Sequence, residues 1–392
     1  MERPVILAAR RTAVGRFQGG LASIPASKLG AEVIKDIIAK TKIDPNQIDE
    51  VIMGHVIQAG MGQNTARQAA IWGGVPVDKA AFTVNKVCGS GLKSVMLAAQ
   101  AIKLGDADMI IAGGMENMSR APYLLYEARD GFRLGHGKII DSMVNDGLWD
   151  IYNDFHMGNT GELVADKYKI SREEQDKYAA GSHQKAVAAQ ERGDFKDEII
   201  PVAVPQRKGD PIIVEKDEGP RKDTTIEGLA KLKPAFKKDG SVTPGNASTI
   251  NDGAAAVLVT SEKKAKELGL PILAYIDAYA VGGMEPQWVM MAPVKAVGNL
   301  LKKTGMKITD FDVIELNEAF SVQAIAVVRE IQAPVDRVNV NGGAVAIGHP
   351  IGCSGARLLV TLIHAMKKRN AKKGLASLCL GGGNAVAMAV SM

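Results

Sequence analysis

Three cysteines and one loop histidine are the residues in this chain best suited to covalent catalysis. Cys88 lies in the run Asn85-Lys86-Val87-Cys88-Gly89-Ser90-Gly91. Residues 81–87 before it read as a short apolar strand. After it Leu92, Val95, Met96, Ala99 and Ile102 recur at helical spacing, and Gly105 is a stop signal. The thiol therefore stands where a strand turns into a helix, and the small residues beside it let ligand and backbone come close. The free N–H groups and positive dipole end of a helix favour a thiolate there. The same pattern also fits a buried structural cysteine beside a tight turn, because free cysteine is among the most buried residue types.

His349 lies in a glycine-flanked loop, Asn339-Val340-Asn341-Gly342-Gly343-Ala344-Val345-Ala346-Ile347-Gly348-His349-Pro350. Placed near Cys88, its imidazole can take the thiol proton and hold an ion pair. Cys379 ends an apolar run just before Gly381-Gly382-Gly383, and Asn317-Glu318-Ala319-Phe320 follows the strand-like residues 313–316. Cys353 opens another helical pattern and reads as structural.

Strand and helix patterns alternate around these residues: strands at 5–9, 49–55 and 107–114, helices at 27–40 and 65–72. In the 27–40 helix Leu29, Val33, Ile37 and Ile38 share one face. Alternation of this kind implies a layered, mainly parallel α/β sheet. Between about 116 and 246 the pattern loosens, with helices expected at 160–168 and 172–192. This stretch reads as a long insertion over one face, a usual place for substrate contacts. Regularity resumes with a strand at 253–259. The uncharged end of the chain from Gly374 reads as two buried strands around a glycine turn, not a membrane helix.

The second half echoes the first. Ile48-Asp49-Glu50-Val51-Ile52 resembles Phe311-Asp312-Val313-Ile314-Glu315. Cys88-Gly89-Ser90-Gly91-Leu92 resembles Gly352-Cys353-Ser354-Gly355-Ala356, and the run 109–115 resembles 377–383. The three matches keep their order, which argues for a duplicated α/β unit with the site where the halves meet.

At 392 residues, 46% hydrophobic and 23% charged, the chain is a well-packed globular protein of more than one domain. Scarce aromatics give no indication of a base-stacking nucleic-acid surface. A net charge of +5 suits a small polyanionic ligand. An odd number of cysteines gives no disulfide framework and points to a reducing, cytoplasmic location.

The four stretches NKVCGSGLKSV (85–95), NEAF (317–320), NVNGGAVAIGHPIGCSG (339–355) and CLGGG (379–383) together resemble the thiolase family over essentially the whole chain. Within that family, His156-Met157-Gly158 and the run from Gly219 through Arg221 to Phe236 are most similar to the acetyl-CoA acetyltransferases. The resemblance implies a duplicated five-layer α-β-α-β-α fold. It divides the chain into an N-terminal half (1–118 with 247–270), an inserted loop domain for coenzyme A and oligomerisation (119–246) and a C-terminal half (271–392). It implies that Cys88 carries the acyl group, that His349 activates it and that Cys379 moves the proton alpha to the second thioester. Two oxyanion sites follow, one from His349 and a water held by Asn317, the other from the N–H groups of Cys88 and Gly381. By motif position Leu148, His156, Met157, Arg221, Ser248, Ala319 and Phe320 would contact coenzyme A or the acyl group. Acyl-CoA thioesters are then the substrates, with no further cofactor and no metal, and neither nucleic acid nor membrane is a partner. A homotetramer, a dimer of dimers joined through 129–138, is expected. Two departures stand out. Val289-Met290-Met291-Ala292 replaces a Met-Gly-x-Gly run that lines the acyl region, and Ala385 replaces a glycine near Cys379. The first keeps a broad-range degradative 3-ketoacyl-CoA thiolase in view as an alternative. Decarboxylating ketoacyl synthases and non-catalytic acyl-CoA-binding relatives are the more distant ones.

Overall fold

The computed structural model describes residues 2–392. The first half runs β1 (Pro4–Thr12), α1 (Ala26–Thr41), β2 (Glu50–Gly54), α2 (Thr65–Trp72), β3 (Ala80–Val84), α3 (Ser90–Leu104) and β4 (Met109–Asn117). A long excursion carrying α4 (Met157–Tyr168) and α5 (Arg172–Arg192) follows, before the chain returns as β5 (Asn251–Ser261). The second half runs β6 (Ala274–Gly283), α6 (Ala292–Thr304), β7 (Val313–Leu316), α7 (Ser321–Ile331), α8 (Ile351–Arg369), β8 (Lys373–Leu380) and β9 (Asn384–Ser391).

The principal strands form one sheet path, β7-β8-β9-β6-β1-β5-β4-β2-β3. Each half contributes parallel strands toward its edge of the path (β2 with β4, β7 with β8) and antiparallel strands toward the middle. The halves join where β1 pairs with β6 at Val5–Tyr275 and Ile6–Ala274. The sheet is thus mixed, more antiparallel than alternation alone suggests, because β5 and β9 return beside β4 and β8.

Alternation along the strands sends side chains into three cores. Met109, Ile111 and Met115 of β4 meet Leu29, Val33 and Ile37 of α1 in one outer core. Ile110 and Ala112 face the middle core, with Leu92, Val95 and Ala99 of α3 and Leu358, Leu359 and Leu362 of α8. Leu375, Ala385 and Ala387 meet Ala296, Val297 and Val322 in the other outer core. The order helix, sheet, helix, sheet, helix gives the five layers. Ile38 is only half-buried, and Ile34 takes its place on the buried face of α1.

The duplication extends to irregularities. The register of β1 on β5 slips between Ile6 and Ala8, and that of β6 on β9 between Ile276 and Ala278. The second half lacks a full counterpart of β3, but an isolated parallel bridge joins Ile314 to Val338 in its place. Pairing also corrects the third sequence match. Glu50 lies opposite Ile110 and Val313 opposite Gly374, so 109–115 corresponds to 373–379 and not to 377–383. Cys379 is therefore the counterpart of Met115. Glycine-rich composition produced the false register; hydrogen bonding fixes the true one.

The pseudo-equivalent glycines Gly91 and Gly355 let the two central helices touch. A Cβ on Gly91 would lie 2.8 Å from the Ala356 nitrogen, and one on Gly355 would lie 2.5 Å from the Leu92 nitrogen. Although α8 looks amphipathic, it is buried from Ile351 to Met366. Its stripe of Ser354, Arg357, Thr361 and His364 finds buried partners in His349, Glu315, Glu198 and the Ala9 carbonyl. No helix among the described residues is long and apolar enough to cross a membrane.

Candidate active site

Cys88 occupies the turn between β3 and α3. Val87 is held at φ 46°, a left-handed conformation that a β-branched residue adopts only under constraint. The constraint is visible. The Asn85 side chain accepts from the Val87 N–H at 3.0 Å, and the Ser90 hydroxyl donates to the Val87 carbonyl at 2.6 Å while accepting from the Lys86 N–H at 2.8 Å. The thiol lies within reach of its own N–H and that of Gly381, both of which favour the thiolate. Burial and the neighbouring Cys379 outweigh them and push the Cys88 thiol well above its ordinary value. The thiolate expected from the helix end is therefore not the resting form: desolvation in this cleft exceeds the dipole's contribution.

His349 is 7% exposed. Its Nδ1 lies 2.6 Å from Ser354 Oγ, whose single hydrogen goes to the Pro350 carbonyl at 2.9 Å. Nδ1 must then carry the imidazole proton, which leaves Nε2 as the basic nitrogen. Asn317 Nδ2 lies 3.4 Å from Nε2. The His349 N–H donates to Asn251 Oδ1 at 2.9 Å, which fixes the loop at the head of β5. Burial, then the Arg357 charge, lowers the imidazole to about 3. The resting pair is thus neutral thiol and neutral imidazole, not the ion pair that proximity alone suggests.

Cys379, at the end of β8, is 6% exposed, and burial raises its thiol to about 12. Behind it Gly382 and Gly383 take φ of 82° and 84°, which turns the chain into β9 and leaves the Gly381 N–H facing the cleft. Ala385, in place of a glycine, pairs with Cys379 across β8 and β9 and is fully buried.

Cys88, His349, Cys379 and Gly381 line one cavity that opens to solvent. Leu148, His156, Met157, Ser248, Ala319 and Phe320 line the same cavity, so six of the seven expected contacts come together with the catalytic candidates. Arg221 does not reach it. Arg221 is exposed in an adjoining groove, which shares Phe236, Ser248 and Ile250 with the cavity. Asn317 stands behind His349 without lining the cavity. His156 stacks on Phe236 with ring centres 4.8 Å apart, and Phe320 meets Phe236 edge-on at 6.3 Å.

Sequence reasoning missed Met118, Ile250, Ile351 and Phe236 as cavity walls, and Ser354 and Asn251 as the partners that orient His349. Phe236 closes the Gly219–Phe236 run, a usable signal. Asn251 and Asp252 are polar residues at the head of an apolar strand, which was another. Val289 and Met290, from the segment that departs from the family pattern, do line the cavity. Cys353 is 1% exposed in the middle core. Among the described residues no group of His, Cys, Asp and Glu could hold a metal.

A cysteine held at a helix head by a strained Val87, a neutral imidazole with an unprotonated Nε2 and backbone N–H groups turned into an apolar cleft together define a site built for acyl transfer through sulfur. The comparisons agree with that class. Residues 4–263 match the thiolase N-terminal domain and residues 270–392 the thiolase C-terminal domain. The chain is 59% identical over 391 residues to an acetyl-CoA acetyltransferase of Pseudomonas aeruginosa, covering 100% of both chains. It is 55% identical to a probable acetyl-CoA acyltransferase of Staphylococcus aureus, covering 100% of this chain and 99% of that one. The crystal structure of an acetyl-CoA acetyltransferase from Bacillus anthracis superposes with a TM-score of 0.98 at 44% identity, covering 100% and 99%. The chain belongs to the thiolase family.

Proposed function

We propose that this protein is an acetyl-CoA C-acetyltransferase, which condenses two acetyl-CoA molecules to acetoacetyl-CoA and coenzyme A, or runs the reverse thiolysis. The observation that carries the reading is the convergence of Cys88, His349, Cys379 and the Gly381 N–H on one apolar cavity. In the first step Cys88 Sγ attacks the thioester carbonyl as its proton passes to His349 Nε2. Coenzyme A leaves by taking the Cys379 proton, so that Cys379 becomes the thiolate while His349 Nε2 keeps its proton, and the acetyl group stays on Cys88. With both groups neutral at rest, proton transfer accompanies attack and does not precede it. In the second step Cys379 removes a proton alpha to the second thioester carbonyl. The resulting enolate attacks the acetyl-Cys88 carbon, the C–C bond forms, and Cys88 departs with the proton held on His349 Nε2, which restores both groups to their neutral forms.

Negative charge builds on one carbonyl oxygen in each step. The Cys88 and Gly381 N–H groups serve the acyl-Cys88 oxygen. The other site uses His349, once Nε2 holds a proton, with a water on Asn317. The buried Asn317 Oδ1, which has no protein partner, supports that assignment. Coenzyme A enters along the groove past Ser248 and Phe236, with Arg221 at its outer end toward the nucleotide. Segment 119–246 forms the wall of that groove. The exposed Tyr123, Tyr126, Phe132 and Leu134 support assembly through this segment into a homotetramer in the cytoplasm.

The test is thiolysis of acetoacetyl-CoA by free coenzyme A, with acetyl-Cys88 trapped and located by mass spectrometry. Turnover with label on Cys88 is expected; a folded protein that neither acetylates nor turns over overturns the reading. Longer and 2-methyl-branched 3-ketoacyl-CoA substrates read the effect of Val289 and Met290.

A further inference from the structure

One member of the Asn317-Glu318-Ala319-Phe320 run has no part in the chemistry above, yet it is 1% exposed and fully engaged. Glu318 Oε1 accepts from Tyr178 Oη at 3.0 Å and from Asn339 Nδ2 at 2.9 Å. Oε2 accepts from Ser182 Oγ at 2.7 Å and from the Val345 N–H at 3.1 Å. Four donors converge on the two oxygens, which only an ionised carboxylate satisfies; an amide offers one accepting oxygen.

The donors come from three places. Tyr178 and Ser182 lie on α5 of the inserted segment. Asn339 also clamps the end of β7, accepting from the Leu316 N–H at 2.9 Å and donating to the Leu316 carbonyl at 2.8 Å. Val345 belongs to the loop that ends in His349. Fit around the carboxylate is close: a Cβ on Gly343 would lie 2.2 Å from the Glu318 carboxyl carbon, and one on Gly342 would lie 2.6 Å from the Ser182 carbonyl oxygen. Ser182 Oγ also accepts from the Gly343 N–H at 3.0 Å. On α5 the next residue, His183, accepts from the Arg221 N–H at 3.2 Å.

We propose that Glu318 is a positioning residue that locks Asn317 and the His349 loop in register against α5. The proposal rests on the reading of Asn317 and His349 as groups that meet the thioester. Glu318 touches no substrate and acts through the residues on either side of it. Its loss lets β7's end and the His349 loop shift relative to each other, and displacements near 1 Å cost rate steeply while the groove that binds coenzyme A keeps its walls.

The experiment compares wild-type protein, Glu318→Gln, the Tyr178→Phe/Ser182→Ala double variant and the triple combination. Glu318→Gln is expected to lower kcat for acetoacetyl-CoA thiolysis by about 10²-fold while KM for acetoacetyl-CoA stays within about twofold. The double variant, which removes the α5 donors and with them the Ser182 acceptor of the Gly343 N–H, is expected to lose about tenfold in kcat. The triple variant is expected to lose little beyond Glu318→Gln alone, because the α5 hydroxyls act mainly through the carboxylate and only the Gly343 N–H contact of Ser182 is independent of it. Full kcat in either the Glu318→Gln or the double variant overturns the proposal, as does a triple variant whose losses multiply. If Glu318→Gln does not fold, the double variant alone decides on its kcat. An inactive wild-type protein would overturn the functional reading itself, whereas active wild type beside a fully active Glu318→Gln overturns only this role.

Discussion

At the head of α3 stands Cys88; at the matching point of α8 stands Gly352, whose N–H is given to the buried Glu116 at 2.9 Å. At the end of β4 stands Met115, packed into the outer core where its sulfur would meet a Cβ on Gly30 at 2.7 Å. At the matching end of β8 stands Cys379, also on the outer face, but facing the cavity under Val289, Met290 and Phe320. The two halves share strand order, a β-bulge and a central helix, and differ at the residues that reach the cleft. One half brings the thiol at the helix head. The other brings the imidazole loop, the second thiol and the glycine turn. What separates a filled corner from a working one is whether a large apolar side chain or a small reactive one ends the strand.

The largest expected effect breaks this asymmetry at its centre. Cys88→Ser should lower thiolysis by about 10³- to 10⁶-fold and abolish acyl-enzyme detected by mass spectrometry, while Cys353→Ala, one residue past the matching point in the other half, should keep turnover. Equal loss in both would make the first half's cysteine structural. Next, Cys379→Ser should reduce acetoacetyl-CoA formation by about 10²- to 10⁴-fold and leave Cys88 acetylation by acetyl-CoA near wild-type extent. Normal condensation by that variant would remove the division of labour between the halves.

The shared part of the comparison is tested by packing. Gly355→Val drives a side chain into the Leu92 backbone, and equilibrium denaturation should show a loss of about 3 kcal/mol. An unchanged midpoint would mean the central helices do not touch as described.

A smaller effect comes from pH. The folded His349 sits at about 3 against an ordinary 6.5. The unfolded chain therefore binds the proton first as pH falls. Stability is whole above 6.5 and declines as pH falls from there toward 3. His349→Asn should flatten that decline in thermal melts between about pH 4 and 7, and a slope unchanged by the substitution would place the imidazole elsewhere. The neutral resting pair makes a companion expectation: alkylation of Cys88 should show no inflection near pH 6 to 7. The smallest effect is local. Val87→Gly relieves the left-handed β-branched residue and should raise stability by about 1 kcal/mol, with kcat falling as the Cys88 turn loosens. A loss of stability would mean that the packing of the Val87 side chain outweighs its backbone strain.

Much of the site was legible in the chain. The strand-turn-helix around Cys88, the α2 and α5 boundaries, the glycine turn after Cys379 and the duplication all follow from local patterns: period 3.6, period 2, and turns that need glycine. The motif runs carried the family and hence the partners of Cys88. Local pattern failed where partners are distant in sequence. Glycine-rich similarity misaligned β4 with β8, because only cross-strand hydrogen bonds set register. The helix end promised a thiolate at Cys88, because the sequence does not register the desolvation that the other half imposes. Ser354 and Asn251 orient His349, and Glu318 gathers donors from 178 to 345, through contacts no spacing reveals. The amino-acid order by itself determined the elements, the reactive residue types and the family. The tertiary structure decided which face each residue meets and which charges burial permits, since both depend on atoms that folding brings together from opposite ends of the chain.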